Sequence, residues 1–140
     1  MPTSSFFKFE AFIEAVHHKK HDFSTDVFKV VFSNAANAPV AGDAVLADLT
    51  TVSAANLVSA IIAVTSSGQT GGTYKLVLTD KTLQASGGGV GPFQYITIYN
   101  DTATNKDLVG RLDYGADITI GDGESLLLDF DDANGYFDAV

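Results

Sequence analysis

An antiparallel β-sandwich, jelly-roll in type and with at most a short N-terminal helical turn, is the fold this sequence predicts. Three observations predict it. Short segments alternate apolar and polar side chains, turn residues recur between them, and no helical periodicity is sustained after residue 22. The 140 residues are predicted to form one domain, with residues 1–22 as an N-terminal arm or edge segment. A hydrophobic content of 46% is enough for a core without disulfide staples.

The first segment carries two patterns. Phe6, Phe9, Ile13 and Val16 fall at helical spacing, while Phe7, Phe9, Ala11 and Ile13 alternate as in a strand. The expectation is an extended start followed by a short helical turn before His17. Val27–Phe32 (VFKVVF) places Phe28, Val30 and Phe32 on one strand face. Residues 33–43 hold Asn, Pro39 and Gly42 and are expected to loop. Strands are predicted at Ala44–Val52, around Leu46 and Leu49, and at the β-branched apolar run Leu57–Val64.

SSGQTGG at 66–72 is assigned to a turn. Thr73–Thr79 alternates, with Tyr74, Leu76 and Leu78 on one face, and Leu83–Ser86 is a brief edge strand. Glycines 87–91 are a hinge into Phe93–Tyr99, where Phe93, Tyr95, Thr97 and Tyr99 oppose Gln94, Ile96 and Ile98. Large groups on both faces predict a central strand covered on both sides. Asn100–Lys106 is a polar turn, and Asp107–Tyr114, Ile118–Ile120 and Leu126–Phe130 are strands. Asp132 to Gly135 is a hairpin turn through its Asn-Gly pair, with Tyr136–Val140 pairing back as the last strand.

Charge and composition exclude several functions. The chain has a net charge of −9, and its basic residues do not cluster as phosphate binding requires, so nucleic acid is not an expected partner. Residues 101–140 hold ten acids against Lys106 and Arg111. A partner with basic patches suits that end. There is no cysteine, which removes disulfides, thiolate metal sites and thiol nucleophiles. No segment approaches the roughly 18 apolar residues of a membrane span. MPTSSFFKFEAF lacks the charged-then-apolar pattern of a signal peptide, so cytoplasmic synthesis is expected.

The local clusters favour contact over catalysis. His17 and His21 have the i, i+4 spacing seen in zinc sites, but HExxH has no counterpart here and no cysteine can complete a site. His17, His18, Lys19, Lys20 and His21 therefore stand as a solvated basic turn or a docking patch for an acidic neighbour. Aligning Gly135 with the invariant glycine of a calcium loop puts Phe130 at the first ligand position, so that motif fails. Asp129, Asp131 and Asp132 remain as weak cation ligands at most. Residues 87–91 lack the Gly-Lys-Ser/Thr ending of a phosphate loop. No catalytic set, metal or cofactor is expected. Phe6, Phe7, Phe9 and Phe12 put four aromatics into seven residues, which fits either an interface or a core. Tyr95, Tyr99, Tyr114 and Tyr136 keep an alternative open, a tail- or fibre-associated adhesin or carbohydrate-binding module.

KHDFSTDVFKVVFSN (20–34), VLADLTTVSAAN (45–56), SSGQTGGTYKLVLTD (66–80), GGVGPFQYITIYNDTATNKDLVGRLDYG (88–115) and GESLLLDFDDANG (123–135) together resemble the capsid decoration or cement proteins of tailed bacteriophages. The resemblance runs through a succession of phrases over nearly the whole chain. Arg111-Leu112 stands where members of that family carry an aromatic pair, so an exposed contact there is expected to differ. The resemblance implies a jelly-roll virion structural protein on the capsid exterior, non-enzymatic and dimeric or trimeric, that clamps neighbouring major capsid subunits. Candidate interface residues are Phe6, Phe7, Phe9, Phe12, His17, His18, Lys19, Lys20, His21 and Arg111.

Overall fold

The computed structural model describes residues 7–130 and 137–139. Its strands are β1 (Phe7–Lys8), β2 (Phe28–Ser33), β3 (Ile61–Ile62), β4 (Val64–Thr70), β5 (Thr73–Leu78), β6 (Lys81–Gln84), β7 (Val90–Asn100), β8 (Leu108–Ile120), β9 (Ser125–Leu128) and β10 (Phe137–Ala139). One helix, α1 (Phe12–His17), and two 3₁₀ turns, Ala35–Asn37 and Leu46–Asp48, complete the regular structure. All strand pairs are antiparallel. The main sheet has the order β1-β8-β7-β2-β3, a second sheet runs β10-β5-β4, and β6 pairs with β9. The predicted all-β sandwich is present, and α1 is the short helical turn expected before residue 17.

The core lies between the main sheet and the two smaller ones. Phe28, Val30 and Phe32 of β2 and Ile96 and Ile98 of β7 meet Leu76 and Leu78 of β5, Leu83 of β6 and Leu128 of β9. Phe32 and Phe93 have ring centroids 4.4 Å apart. Each fully buried side chain of this kind stabilises the fold by roughly 1.5–3 kcal/mol relative to exposure. The other face of the main sheet is covered too. Phe9, Tyr99 and Leu108 are buried there, with Val31, Leu46 and Leu49 packed against them. β7 is therefore central and covered on both sides, as its two-faced pattern predicts.

Several boundaries differ from expectation for local reasons. Ala44–Val52 is not a strand. The Asp48 carboxylate accepts from the N–H groups of Ala44 and Val45 at 2.9 and 3.1 Å, folding the segment into a 3₁₀ turn. SSGQT is strand rather than turn: β4 pairs with β5 through Thr70↔Thr73, leaving Gly71 and Gly72, both at positive φ, as a two-residue hairpin turn. Only Ile61–Ile62 and Val64 of Leu57–Val64 are in strands. The predicted break after Tyr114 is a bulge inside β8. Two steps along β7, from Phe93 to Tyr95, match five along β8, from Ile118 to Asp113. That shift sends Phe93 into the core while Tyr95, Thr97 and Tyr99 keep the opposite face. The Asn-Gly turn lies outside the described residues, but β10 pairs with β5 and β9 with β6, so the predicted pairing of the last two strands with each other is corrected.

Within the glycine hinge, Gly91 cannot hold a side chain because the paired backbone blocks it. Gly91 sits at φ +132°, and a Cβ there would come within 2.8 Å of the Ile118 carbonyl oxygen and 2.9 Å of Thr119 Cα. Both obstacles are backbone in the paired strand, so they cannot step aside. Gly91→Ala should destabilise by roughly 2–4 kcal/mol in urea or thermal unfolding. Gly42→Ala, where nothing lies within 4 Å, should stay within about 0.5 kcal/mol.

Candidate protein interface

The N-terminal strand–helix unit divides its side chains between core and solvent. β1 pairs with β8 in the register Phe7↔Arg111 and Lys8↔Gly110. Phe9 and Phe12 are fully buried, so they fill the two cores and are withdrawn from the contact surface that the sequence suggested. His21 is also buried, at 7% exposure. Phe7 remains 46% exposed and Ile13 37% exposed. His17, His18, Lys19 and Lys20 face solvent, and Arg111 is half-buried. Phe6 lies outside the described residues.

The basic turn has a defined shape. After α1 the chain reverses with Lys19 at φ +63°, and the Lys20 N–H donates to the Ala15 carbonyl at 2.9 Å. Helix α1 ends at His17, so His17 and His21 do not share a helix face. The first accompanies the exposed side of the helix, the second turns inward. Among the described residues no three His, Asp or Glu side chains gather as a metal site would need. Arg111 lies over two aromatic rings, 5.6 Å from the Phe7 centroid and 5.1 Å from that of Phe9. Glu10 N–H donates to the Ala41 carbonyl at 2.9 Å, which brings the exposed Val40 alongside this unit.

What fixes the basic turn against the sheet was not foreseen. Asn100, fully buried at the end of β7, has its Nδ2 2.7 Å from Asp26 Oδ2, 3.1 Å from the Lys20 carbonyl and 3.1 Å from His21 Nδ1. Its Oδ1 accepts from the N–H groups of Thr102 and Ala103 at 2.9 and 3.2 Å. Lys20 Nζ pairs with the buried Asp107 at 3.5 Å. One side chain thus joins residues 20–26 to the turn between β7 and β8. In sequence it is one more polar residue at the edge of a polar turn.

His21 is enclosed by aromatic rings, its centroid 5.6 Å from Phe12, 5.8 Å from Phe23 and 6.3 Å from Phe28. Burial holds its pKa below the usual value for histidine, against the opposing pull of Asp107 and Asp26. Near the surface of the same turn, hydrogen bonding to Lys29, helped by Lys106, holds the Asp101 carboxyl below the usual carboxylate range.

Among the described residues, no Ser or Thr hydroxyl hydrogen-bonds to a histidine ring. One shallow depression, lined by Lys19, Lys20, Asp26, Thr102, Asn105 and Asp107, is open and polar. The tyrosines considered for sugar stacking are dispersed. Tyr99 is buried, Tyr95 and Tyr114 are half-buried, and Tyr136 is outside the described residues. Among the described residues no helix is long and apolar enough to cross a membrane. No family model, curated protein or solved structure matches the chain.

Two predictions follow from this junction. Asn100→Ala should cost about 2–4 kcal/mol, because it strands several buried polar partners at once, while the exposed Thr104→Ala should be neutral in the same unfolding assay. For His21 the folded pKa is the lower one. The unfolded chain therefore takes up a proton first as pH falls below about 6.5, and stability declines from there until the folded pKa is passed. The depressed carboxylates Asp22, Asp48 and Asp101 act only below about pH 4. Thermal unfolding from pH 8 to 5 should show the decline, and His21→Gln should flatten it over that window.

Proposed function

We propose that this protein is a non-enzymatic virion structural protein that binds the outside of a tailed-phage capsid and cements neighbouring major capsid subunits, acting as a dimer or trimer. The observation that carries the proposal is the exposed N-terminal unit. In a chain of net charge −9, this unit leaves Phe7, Ile13 and Val40 exposed, together with the charged Glu10, Glu14 and Lys19. A mixed apolar and charged surface suits protein contact better than turnover of a small molecule. The succession of phrases resembling cement proteins supports the same assignment.

The physics is that of multivalency. A contact with one subunit is weak on its own, but each later contact in a bound oligomer is effectively intramolecular, so several combine into firm attachment. Such a clamp has to hold its shape under load. A sheet buried on both faces, with the N-terminal unit tied to it through Asn100, offers that stiffness.

The test is to add purified protein to capsids lacking it and to locate it on intact virions by cryo-EM. Phe7→Ala and Lys19→Glu should each weaken capsid binding roughly tenfold, as loss of about 1.4 kcal/mol of contact energy requires, with the isolated fold unchanged. Density on the tail, or glycan binding without capsid affinity, would replace this proposal with an adhesin.

A further inference from the structure

The outer face of the main sheet, the face covered by Phe9, Leu46 and Leu49, holds three buried polar groups without partners. They are Ser33 Oγ, Thr97 Oγ1 and Arg111 Nη1. Ser33 and Thr97 are 1% and 0% exposed. The strand registers make the three residues neighbours on that face. Val31, Thr97, Arg111 and Phe7 form one row across β2, β7, β8 and β1, and Ser33 belongs to the next row, opposite Tyr95. Thr97 is thus a direct neighbour of Arg111 and a diagonal neighbour of Ser33. Directly opposed residues stand about 5 Å apart and diagonal ones about 7–8 Å. Those are separations at the strand backbone, and the short Thr97 and Ser33 side chains keep their hydroxyls close to them. The longer Arg111 side chain, whose guanidinium lies against the Phe7 and Phe9 rings, has the reach to aim Nη1 at an acceptor between them.

The geometry points to a binding site for a small monovalent anion of halide size, held by Arg111 Nη1 and the hydroxyls of Thr97 and Ser33. Buried polar groups in folded proteins have partners, and an orphaned one costs free energy. All three groups can donate, and the guanidinium can only donate. Arg111 carries a permanent charge, and among the described residues no ion pair with a carboxylate offsets it. Asp113, two residues along the same strand, instead accepts from Gln94 Nε2 at 3.0 Å and from the Gly115 N–H at 2.8 Å. The flanking rings of Phe7 and Phe9 fix the guanidinium in place without supplying an acceptor. An acceptor that bears negative charge satisfies both the hydrogen bonds and the charge, whereas a water satisfies only the hydrogen bonds.

The site lies apart from the exposed residues used in the capsid assay, except where Phe7 closes over Arg111. Bound there, an anion would pin the outer cover onto β7 and β8. It would stabilise the folded state in proportion to its own concentration.

The probes are bromide and chloride. Bromide-soaked crystals should show an anomalous peak within hydrogen-bond reach of Arg111 Nη1 and Thr97 Oγ1. In solution, replacing gluconate by chloride at constant ionic strength should raise Tm by roughly 3–6 °C. Thr97→Val and Ser33→Ala should each remove most of that chloride-specific rise. A fully occupied water with no bromide peak would overturn the proposal, as would a Thr97→Val protein more stable than the parent in chloride. A bromide peak without chloride-specific stabilisation would mean an adventitious ion only, which overturns it equally.

Discussion

The structure depends on burying both faces of β7. A strand in that position exposes no side-chain face to water, so neither face can be polar without consequence, and every backbone group must be paired along both edges. β2 and β8 supply those edges. The smaller sheets cover one face, and Phe9 with the residues around Leu46 and Leu49 covers the other. The N-terminal segment is consequently part of the cover. Its aromatics divide accordingly, with Phe12 in the main core, Phe9 in the outer one and Phe7 left partly in solvent.

Covering a sheet with an irregular segment creates a second problem, because loops carry unpaired polar groups into places water cannot reach. Asn100 resolves it at one end. It is the last residue of β7, and a single amide there serves the carbonyl of Lys20, the carboxylate of Asp26 and two N–H groups of the following turn. A histidine can sit among phenyl rings beside it because the ring remains neutral and Nδ1 has an amide within hydrogen-bond reach. The exposed basic turn and the buried amide are thereby two sides of one junction. A substitution in the interior would move the surface patch.

The sequence made the regular strands legible and concealed what depends on tertiary context. Tyr74, Leu76 and Leu78 alternate, β5 follows, and Leu76 and Leu78 lie in the core. The same alternation misplaced Phe93, because the insertion that shifts its face lies in the partner strand, among residues 114–117 between Asp113 and Ile118. SSGQT has turn composition, yet it pairs because TYKLVL supplies a strong neighbour. Leu46 and Leu49 have strand spacing, but Asp48 captures two N–H groups locally and wins. At the candidate site, exposure of His17, His18, Lys19 and Lys20 was readable from charge, but the burial of His21 among phenyl rings was not. The division of the four phenylalanines was not, since helical and alternating patterns both ran through them and packing decided between them.

Acidic composition and a stiff frame bear jointly on how such a surface can work. Copies with a net charge of −9 repel one another at long range, and salt limits that repulsion to within about a Debye length, roughly 8 Å at physiological ionic strength. Association, with a copy or with another protein, must therefore come from short-range contacts strong enough to exceed the repulsion. Phe7 and Ile13 can provide these only if they are presented without loss of conformational freedom on binding. β1 is two residues long and α1 six, too short to be stable alone. Their order comes from Phe9, Phe12 and Asn100 beneath them. Under the proposed binding role, burial that looks purely structural would be what lets the few exposed apolar groups act as a pre-organised contact.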